Sequence, residues 1–554
     1  MLLDRKYFRQ IVYILFYFGL TVLMYQMIKA DVVWYGDDTY YHFLRIINLS
    51  DNFQNGFLRS NVALDGFGRM GYGINLFYPW LTLLPFYLMN LLTGDWIAAY
   101  YLGLAFYFFV SFLIGHYSMK KFSGNTFEAV IFAVVYNFST YRLIEFFSRA
   151  ALAEFLATVF LPLCFLGFYE LFFGKGRNWQ VLAIGMSLVV LSHVLTTLMC
   201  LIMFVLIALI FIKQVKFNKY RLQNLFKAII ATVLMTAIFS IPFVIETLSQ
   251  KYGMPSPQKL IGKDFFALVQ ASFFNESGRQ FEGHLYNVGT VILLGLIFGL
   301  FFWKKLERKY QAIYLMSILT FVMATKVFPW TIFNKTPIQV IQFPFRFLMF
   351  TTLFGSIIIS VIIGQIIKTV SLKIPITLIF LVAIIGLWGM SFKSALVDSY
   401  IADDNLVISQ KMIQEKKIPE NYLEQYVPRN AQDKLSTIEG HVLMIDGNKS
   451  HQKPQKNQQE NVFILKDVKK DNIIDLPYIA YRYTHVLVNG QRVNLIKSKR
   501  GTVRFQVPQD YHRLKIEITY LFPMNRVIMI ISLVTWLYVI ATLIYEKTQN
   551  EFGT

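Results

Sequence analysis

Two adjacent acids mark the stretch of this chain that is richest in possible chemistry. Asp37 and Asp38 follow Gly36, and His42 comes four residues after Asp38. Residues separated by four positions share one face of a helix. Asp38 and His42 are therefore candidates to hold a metal ion, such as a divalent cation, a phosphate or a proton in transit. The alternative is that both acids cap a helix over Thr39–Gln54, because Asp is a favoured capping residue.

A second pair of charges lies at the start of an apolar run. Arg149 precedes the run Ala151–Phe173, and Glu154 lies about one turn inside it. A carboxylate inside such a run needs a partner or water, and groups of this kind are candidates for function. We expect Arg149 and Glu154 to contact substrate. A structural ion pair between Arg149 and Glu145 is the alternative.

Four more polar residues border apolar runs. His193 sits between two runs, Arg279 and His284 lie in the polar loop 273–286, and Arg346 precedes another run. An Arg side chain suits phosphate because its planar donor fork matches the oxygens. All four are candidates to bind substrate. A structural His, a solvated loop and an Arg that snorkels to the interface are the alternatives.

The elements that must position these residues are membrane helices. The composition is 55% apolar, 17% aromatic and only 16% charged, whereas soluble domains carry about 25% charge. Many apolar runs are long enough to cross a hydrocarbon core of about 30 Å. The net charge of +20 is distributed in short basic clusters between these runs, as cytoplasmic loops require. We therefore expect a polytopic α-helical membrane protein in contact with the lipid bilayer, and no nucleic-acid partner.

Basic clusters set the expected topology. They predict about 12 spans, with both termini cytoplasmic and the loop 31–75 outside. The run Ile74–Leu92 contains two prolines, and we expect it to lie as a broken helix at the outer surface. The run Trp179–Ile212 is about 51 Å long as a helix, too long for one crossing. We therefore divide it at Ser192–His193.

The region before the last apolar run differs from the rest. We expect a transmembrane domain over residues 1–392, an extracellular domain over 393–523, and a last span with a cytoplasmic tail over 524–554. Within the extracellular domain, the polar segment Gly447–Asn461 is expected to be a mobile linker. Asn489-Gly490 between alternating apolar residues is a strong hairpin signal. We predict a small C-terminal α+β domain built as a β-sandwich.

Several familiar chemistries lack sequence support. The chain has no Walker, dinucleotide-binding, HExxH or GxSxG motif, so ATP-driven transport is not indicated. Cys164 and Cys200 both lie inside apolar runs. Small buried core residues are the ordinary interpretation of such cysteines.

Taken together, the short motifs resemble the bacterial YfhO-like membrane proteins. That group overlaps the membrane proteins labelled 6-pyruvoyl-tetrahydropterin synthase-related, a label that implies no pterin chemistry here. The resemblance rests on Gly36–Arg45, Tyr72-Gly73, Phe77–Pro79, Arg149 with Glu154, Ser192-His193, Gln342–Phe347, and Leu476–Tyr478 with Gly490, Gly501 and Tyr520.

Such proteins are similar to GT-C glycosyltransferases. The resemblance implies a multi-span fold, a polyprenyl-phosphate sugar as donor, and an acidic catalytic residue in the first external loop. Asp37 or Asp38 takes that position. It further implies transfer from undecaprenyl phosphate to an extracellular glycopolymer acceptor at the bacterial cell membrane, such as teichoic acid or another cell-envelope polysaccharide.

The chemistry assigns roles to the candidates. An acceptor hydroxyl has a pKa far above 7, so a carboxylate must take its proton, and Asp38 is our first choice. The leaving lipid phosphate gains charge and needs Arg, His or a divalent ion beside it. Arg346, Arg279 and His193 are the candidates for that role.

Two other functions remain open. A lipid-linked sugar flippase or polysaccharide transporter would bury charges at mid-membrane and show repeats with broken helices. A non-enzymatic membrane scaffold would bind partners through the extracellular domain, and the loop acids would then be dispensable.

Overall fold

A computed structural model describes most of the chain. It covers residues 5–54, 61–63, 66–215, 218–253, 255–256, 259–278, 286–367, 369–402, 407–420, 424–450, 455–457 and 462–552. The predicted sites Arg279 and His284 lie outside the described residues. Helices dominate up to residue 402, strands dominate residues 444–520, and one long helix ends the described chain.

Long and short helices alternate in the first part of the chain. They are α1 Arg5–Ile28, α2 Thr39–Gln54, α3 Ile74–Phe77, α4 Leu84–Thr93, α5 Trp96–Ser123, α6 Thr126–Asn137, α7 Thr140–Leu143, α8 Leu152–Phe172, α9 Trp179–Val190 and α10 Val194–Ile210. A π turn, Ile144–Ser148, follows α7.

The second part continues this pattern and ends in short surface helices. Its members are α11 Lys219–Met235, α12 Ala237–Ser249, α13 Phe265–Phe274, α14 Thr290–Phe302, α15 Arg308–Met323, α16 Leu348–Ile366, α17 Val370–Ala402, α18 Gln410–Gln414, α19 Arg429–Gln432 and α20 Leu435–Glu439. The last helix is α21, Asn525–Phe552.

Six of the described helices are long and apolar enough to cross a membrane, or up to eight if each of two bent pairs counts as one span. The polytopic helical prediction is thus confirmed, whereas the number 12 is not. One difference is α11 and α12, because the apolar run Leu225–Leu248 predicts a single span. The two helices meet at Thr236 with a bend of 81°.

Other predicted breaks agree with the structure. The run Ile74–Leu92 is divided into α3, a 3₁₀ turn at Leu81–Leu83, and α4. The run Trp179–Ile212 breaks between α9 and α10, and His193 caps the start of α10. Breaks of this kind expose backbone groups that need other partners. The carbonyl of Leu191, for example, accepts a hydrogen bond from the Thr82 hydroxyl at 3.1 Å.

The domain that we predict to be extracellular contains two antiparallel sheets around one hydrophobic core. One sheet has the order β2-β1-β5-β8, and the other has the order β3-β4-β9-β6-β7. The strands are β1 Met444–Ile445, β2 Asn448–Lys449, β3 Gln455–Asn457, β4 Val462–Val468, β5 Ile473–Ile479, β6 Thr484–Val488, β7 Gln491–Val493, β8 Thr502–Gln506 and β9 Tyr511–Tyr520.

The predicted hairpin is confirmed. Strands β6 and β7 pair across Asn489-Gly490, and both turn residues have positive φ, 46° and 84°. The segment Gly447–Asn461 differs from its prediction as a linker. Its described parts include β2 and β3, which pair with β1 and β4, while 451–454 and 458–461 lie outside the described residues. Backbone pairing needs no apolar side chains, so the polar composition did not reveal these strands.

The predicted extracellular domain packs directly against the first loop. The amide of Ile479 donates to the carbonyl of Met70 at 2.7 Å, and the amide of Gly73 donates to the Tyr481 hydroxyl at 2.8 Å. A Cβ atom on Gly71 would lie 2.2 Å from the Tyr478 ring. Only a residue without a side chain fits there, so the domain and the loop form one tightly packed unit.

Candidate functional site

Two arginines share one carboxylate at the centre of the candidate site. Arg149 Nη1 lies 2.7 Å from Glu154 Oε2, and Arg346 Nε lies 3.0 Å from the same oxygen. Arg149 Nη1 also lies 3.0 Å from Glu145. All four side chains are buried. Breaking one buried ion pair leaves an uncompensated charge, so the four residues depend on one another.

Local backbone geometry places this network. The π turn Ile144–Ser148 contains Glu145 and ends directly before Arg149, which brings these two side chains into contact. Ala150 then takes a positive φ of 53°, which redirects the chain before α8 begins at Leu152. Glu154 therefore lies in the first turn of α8, where a negative charge is stabilised by the helix dipole.

Both arginines keep side-chain donors that the described residues do not use. Of the side-chain nitrogens of Arg149, only Nη1 forms hydrogen bonds with the described residues, to Glu145 and Glu154. Arg346 uses Nε for Glu154 and Nη1 for the carbonyl of Ile341 and the side chain of Gln342. The described chain gives Nη2 of either residue no partner. These are donors of the kind that bind a phosphate group.

Asp38 is attached to this network through its backbone. Its amide donates to the carbonyl of Arg149 at 2.9 Å. Next to it, a Cβ atom on Gly36 would lie 2.4 Å from the carbonyl of Phe147, so glycine permits the close approach. The loop that carries Asp38 therefore packs against the turn that carries Arg149.

The Asp38 carboxylate is half-buried and lies in the electric field of both arginines. Burial raises the pKa of Asp38 above its usual range, while Arg149 and then Arg346 oppose that rise. No donor among the described residues forms a hydrogen bond to this carboxylate. A charged group that is partly desolvated and not hydrogen-bonded is suited to accept a proton.

The capping alternative can be compared with the geometry. Helix α2 begins at Thr39, and the Asp38 carbonyl accepts the His42 amide at 3.0 Å. Asp38 thus occupies the capping position, although the described residues show no capping bond from its side chain. The Thr39 hydroxyl instead accepts the Gly36 amide at 2.7 Å. Asp37 is half-buried beside Asp38.

His42 is buried and engaged by Arg45. Arg45 Nη1 donates to His42 Nδ1 at 3.0 Å, and Arg45 Nη2 donates to the carbonyl of Pro79 at 2.6 Å. Burial lowers the pKa of His42 well below its usual range, and the Arg45 charge adds to this effect. The ring is therefore neutral, and its single proton is on Nε2 because Nδ1 accepts.

This arrangement does not fit the predicted metal pair of Asp38 and His42. A metal bound at Nε2 would require the proton on Nδ1, which already accepts from Arg45. The described part of the chain also contains no group of three or more His, Cys, Asp or Glu side chains placed to hold a metal ion.

Tyr78 connects the two histidines. The guanidinium of Arg45 lies 4.1 Å from the centre of the Tyr78 ring, and His42 meets the same ring edge-on at 5.8 Å. His193 stacks on Tyr78 with ring centres 5.9 Å apart. His193 Nδ1 lies 2.8 Å from the Thr196 hydroxyl. The break between α9 and α10 thus places His193 in contact with Tyr78 at the candidate site.

An aromatic stack next to the arginines was not predicted. Tyr286 and Phe345 are parallel, with ring centres 3.5 Å apart. Arg149 lies 6.0 Å and 5.4 Å from these two ring centres, and the Lys263 amine lies 5.4 Å and 5.7 Å from them. Phe345 precedes Arg346 in sequence, but nothing in the local pattern indicates its contact with Tyr286 or Lys263.

The structure thus brings Asp38, Arg149, Glu154, His193 and Arg346 into one electrostatic neighbourhood. His42 joins it through Tyr78. Sequence reasoning considered Glu145 only as a structural partner, and it overlooked the roles of Arg45 and Tyr78 in holding the histidines.

Comparison with known protein families identifies the family to which this chain belongs. A family described as the 6-pyruvoyl-tetrahydropterin synthase related domain, a membrane protein, matches residues 77–401. The chain belongs to this family. The expected relationship to the 6-pyruvoyl-tetrahydropterin synthase related family is therefore confirmed. The match includes Arg149, Glu154, His193 and Arg346 but begins after Asp38 and His42.

Solved structures show similarity to larger membrane enzymes. Arabinofuranosyltransferase AftD from Mycobacteria matches with a TM-score of 0.44 and 12% identity, over 72% of this chain and 27% of that chain. The apo oligosaccharyltransferase from Archaeoglobus fulgidus matches with a TM-score of 0.41 and 11% identity, over 78% of this chain and 58% of that one.

A further match is AglB from Archaeoglobus fulgidus in complex with an inhibitory peptide and a dolichol-phosphate. Its TM-score is 0.39 with 12% identity, over 75% of this chain and 60% of that one. This family member thus spans between about a quarter and three fifths of the solved chains it matches. No curated protein matches the sequence.

Proposed function

We propose that this protein is a membrane glycosyltransferase of the GT-C type. It moves a sugar from a polyprenyl-phosphate carrier, such as undecaprenyl phosphate, to an extracellular glycopolymer of the cell envelope. The observation that supports this proposal best is the backbone contact between Asp38 and Arg149, which brings the Asp38 carboxylate into the electric field of Arg149 and Arg346. This carboxylate accepts no hydrogen bond from the described residues, and both guanidinium groups keep a nitrogen that has no partner among them.

The proposed reaction forms one bond and breaks one bond. An acceptor hydroxyl oxygen forms a bond to the anomeric carbon of the sugar, and the bond from that carbon to the phosphate oxygen breaks. The hydroxyl proton passes to Asp38, and the bonding electrons remain on the lipid phosphate. Arg149 and Arg346 stabilise the extra negative charge through Nη2 of each residue. Asp38 then releases its proton to water.

Glu145 and Glu154 have positioning roles in this proposal. They fix the two arginines before substrate arrives, so little reorganisation is needed when the phosphate gains charge. The neutral His42, with its proton on Nε2, and His193 are placed to donate hydrogen bonds to sugar or phosphate oxygens. We further propose that the extracellular domain positions the acceptor, because it contacts the first loop directly.

A lipid-linked sugar flippase remains the second candidate, and one buried cation favours it. Arg142 Nη1 donates to Ser111 and Asn137, each at 2.7 Å, while its Nε and Nη2 are buried without a hydrogen bond. A buried cation of this kind is a common feature of transport pathways. Its neighbours include the rings of Tyr136 and Phe155.

One experiment separates the two candidates. The full-length protein is purified in detergent and supplied with a radiolabelled polyprenyl-phosphate sugar and a cell-envelope acceptor fraction. A transferase moves label into polymer without a membrane barrier, whereas a flippase cannot act there. Label transfer that disappears in Asp38→Asn supports the proposal. Absence of transfer, together with sugar-lipid translocation in reconstituted vesicles, would favour the flippase.

A further inference from the structure

A large cavity lies among the helices on the far side of the molecule from the candidate site. Its volume is about 680 Å³, and its walls come from α5, α6, α8, α10, α15 and α16. Phe132, Pro162, Phe165, Leu353 and Phe354 line it. Cavities of about 300–1,000 Å³ with mostly apolar walls are typical of binding sites for small molecules.

Helix α8 relates the cavity to the site. Glu154 lies in its first turn, whereas Tyr169, which lines the cavity, lies near its other end. At 1.5 Å per residue the two are about 22 Å apart. The cavity therefore opens toward the opposite membrane face, which the basic clusters predict to be cytoplasmic.

The mouth of the cavity, at the predicted cytoplasmic face, is cationic. Arg308 and Lys309, at the start of α15, line it together with Trp303. Arg308 is exposed and forms no ion pair within the described chain. Lys309 lies 3.5 Å from Glu307, whose side chain is 70% exposed. The Lys309 side chain is 29% exposed, so solvent on the Glu307 side screens this pair and leaves the cation available to a ligand.

We propose that this cavity binds one anionic phospholipid. An acyl chain occupies the apolar interior between α8 and α16, and the phosphate contacts Arg308 and Lys309 at the face. Aromatic and aliphatic walls disfavour a soluble anion, because it would lose hydration without gaining apolar contacts. The two cations favour an anionic over a zwitterionic headgroup, since basic residues near a surface attract anionic lipids.

Fluorescence of Trp303 provides the test. The full-length protein in detergent is titrated with brominated phosphatidylglycerol or brominated phosphatidylcholine, because bromine quenches tryptophan at contact distance. We expect stronger quenching by the anionic lipid, and Trp303→Phe should remove that difference. The double variant Arg308→Gln with Lys309→Gln should weaken the anionic titration by about five-fold for each charge removed.

Lys304 and Lys305 provide the matched control. They lie in the adjacent 3₁₀ turn but do not line the cavity. Lys304→Gln with Lys305→Gln removes the same charge and should leave the anionic titration within two-fold of the unaltered protein. Equal quenching by both lipids, or equal weakening by both double variants, would overturn the proposal. The amount of phosphatidylglycerol that co-purifies, measured by native mass spectrometry, should fall in the first variant only.

Discussion

Asp38 and Arg149 are joined by a backbone hydrogen bond of 2.9 Å, from the amide of Asp38 to the carbonyl of Arg149. This bond links the loop after the first helix with the turn that carries the ion network. A carboxylate and two guanidinium groups thereby occupy one electrostatic neighbourhood. The proposed chemistry depends on that spatial relationship.

Replacing Asp38 tests the proposed base. Asp38→Asn keeps the size of the side chain but removes proton acceptance, so transfer should fall by about 10² to 10⁴ in rate. Asp37→Asn is the matched control and should retain transfer. The assay is sugar transfer in membranes supplied with polyprenyl-phosphate sugar, normalised to protein level. Loss of activity only in Asp37→Asn would assign the role of base to Asp37. Full activity in the double variant would exclude both acids as the base.

Replacing Arg346 tests the proposed phosphate contact. Arg346→Lys keeps the charge but cannot hold Glu154 and reach a phosphate with a second nitrogen. We expect transfer to fall by about 10²-fold. Arg500 is a matched control, because it is also a buried arginine paired with one carboxylate, Asp475 at 2.7 Å. Arg500→Lys should leave transfer per folded molecule unchanged; an equal loss would indicate a purely structural effect.

The pH profile of transfer reports on Asp38. The base must be ionised, and burial raises its pKa above the ordinary value of 3.8. The rate should therefore fall at a higher pH than an exposed Asp would require. Because the Arg346 charge opposes the rise, Arg346→Gln should move the acid limb to higher pH, whereas Arg346→Lys should leave it in place. If the acid limb does not shift in Arg346→Gln, ionisation of Asp38 does not cause that limb.

Replacing Tyr426 tests the proposed role of the predicted extracellular domain. Its ring stacks on Phe77 at 5.2 Å and meets Tyr78 edge-on at 6.0 Å. Tyr426→Ala removes both contacts, so transfer should fall several-fold while binding of the polyprenyl-phosphate donor persists. Tyr483, which packs on Phe522 at 5.0 Å within the same region, provides the control. Equal effects of Tyr426→Ala and Tyr483→Ala would indicate general destabilisation.

Labelling of Ser450→Cys tests the predicted topology. Ser450 lies directly after β2 and is partly exposed. A membrane-impermeant thiol reagent should label this position in intact cells, because the basic clusters predict that the domain is outside. A C-terminal tag should be protected in the same cells. Protection of position 450 with labelling at the tag would invert the topology.

Local patterns predicted much of the helical framework and its breaks. The break at His193 followed from the length of an apolar run, and the Asn489-Gly490 hairpin followed from turn chemistry. The sequence also indicated that Glu154 needs a partner. It did not indicate that Arg346 would join Arg149 on that carboxylate, because contacts between residues this distant in the chain depend on helix packing.

The bend at Thr236 shows a second limit. Hydropathy over Leu225–Leu248 is continuous, so the composition suggested one straight span. In the structure α12 turns away from α11, and Glu246 near its end is buried. Its carboxylate accepts the amide of Arg482 at 3.2 Å and the Tyr252 hydroxyl at 2.8 Å. Tertiary contacts with the domain over 393–523 accompany the bend, and the local sequence pattern does not predict such contacts.

The contacts between the first loop and Tyr478–Tyr481 have a consequence for biosynthesis. Asp38 is made early, but Arg346 and the tyrosines that contact Gly71 and Gly73 are synthesised much later. Chains fold progressively from their N-terminus as they leave the ribosome. A nascent chain therefore carries the carboxylate long before it carries a complete site. Under the proposed function, transfer would begin only after the domain over 393–523 has packed on the loop, so an incomplete chain would not react with the sugar donor.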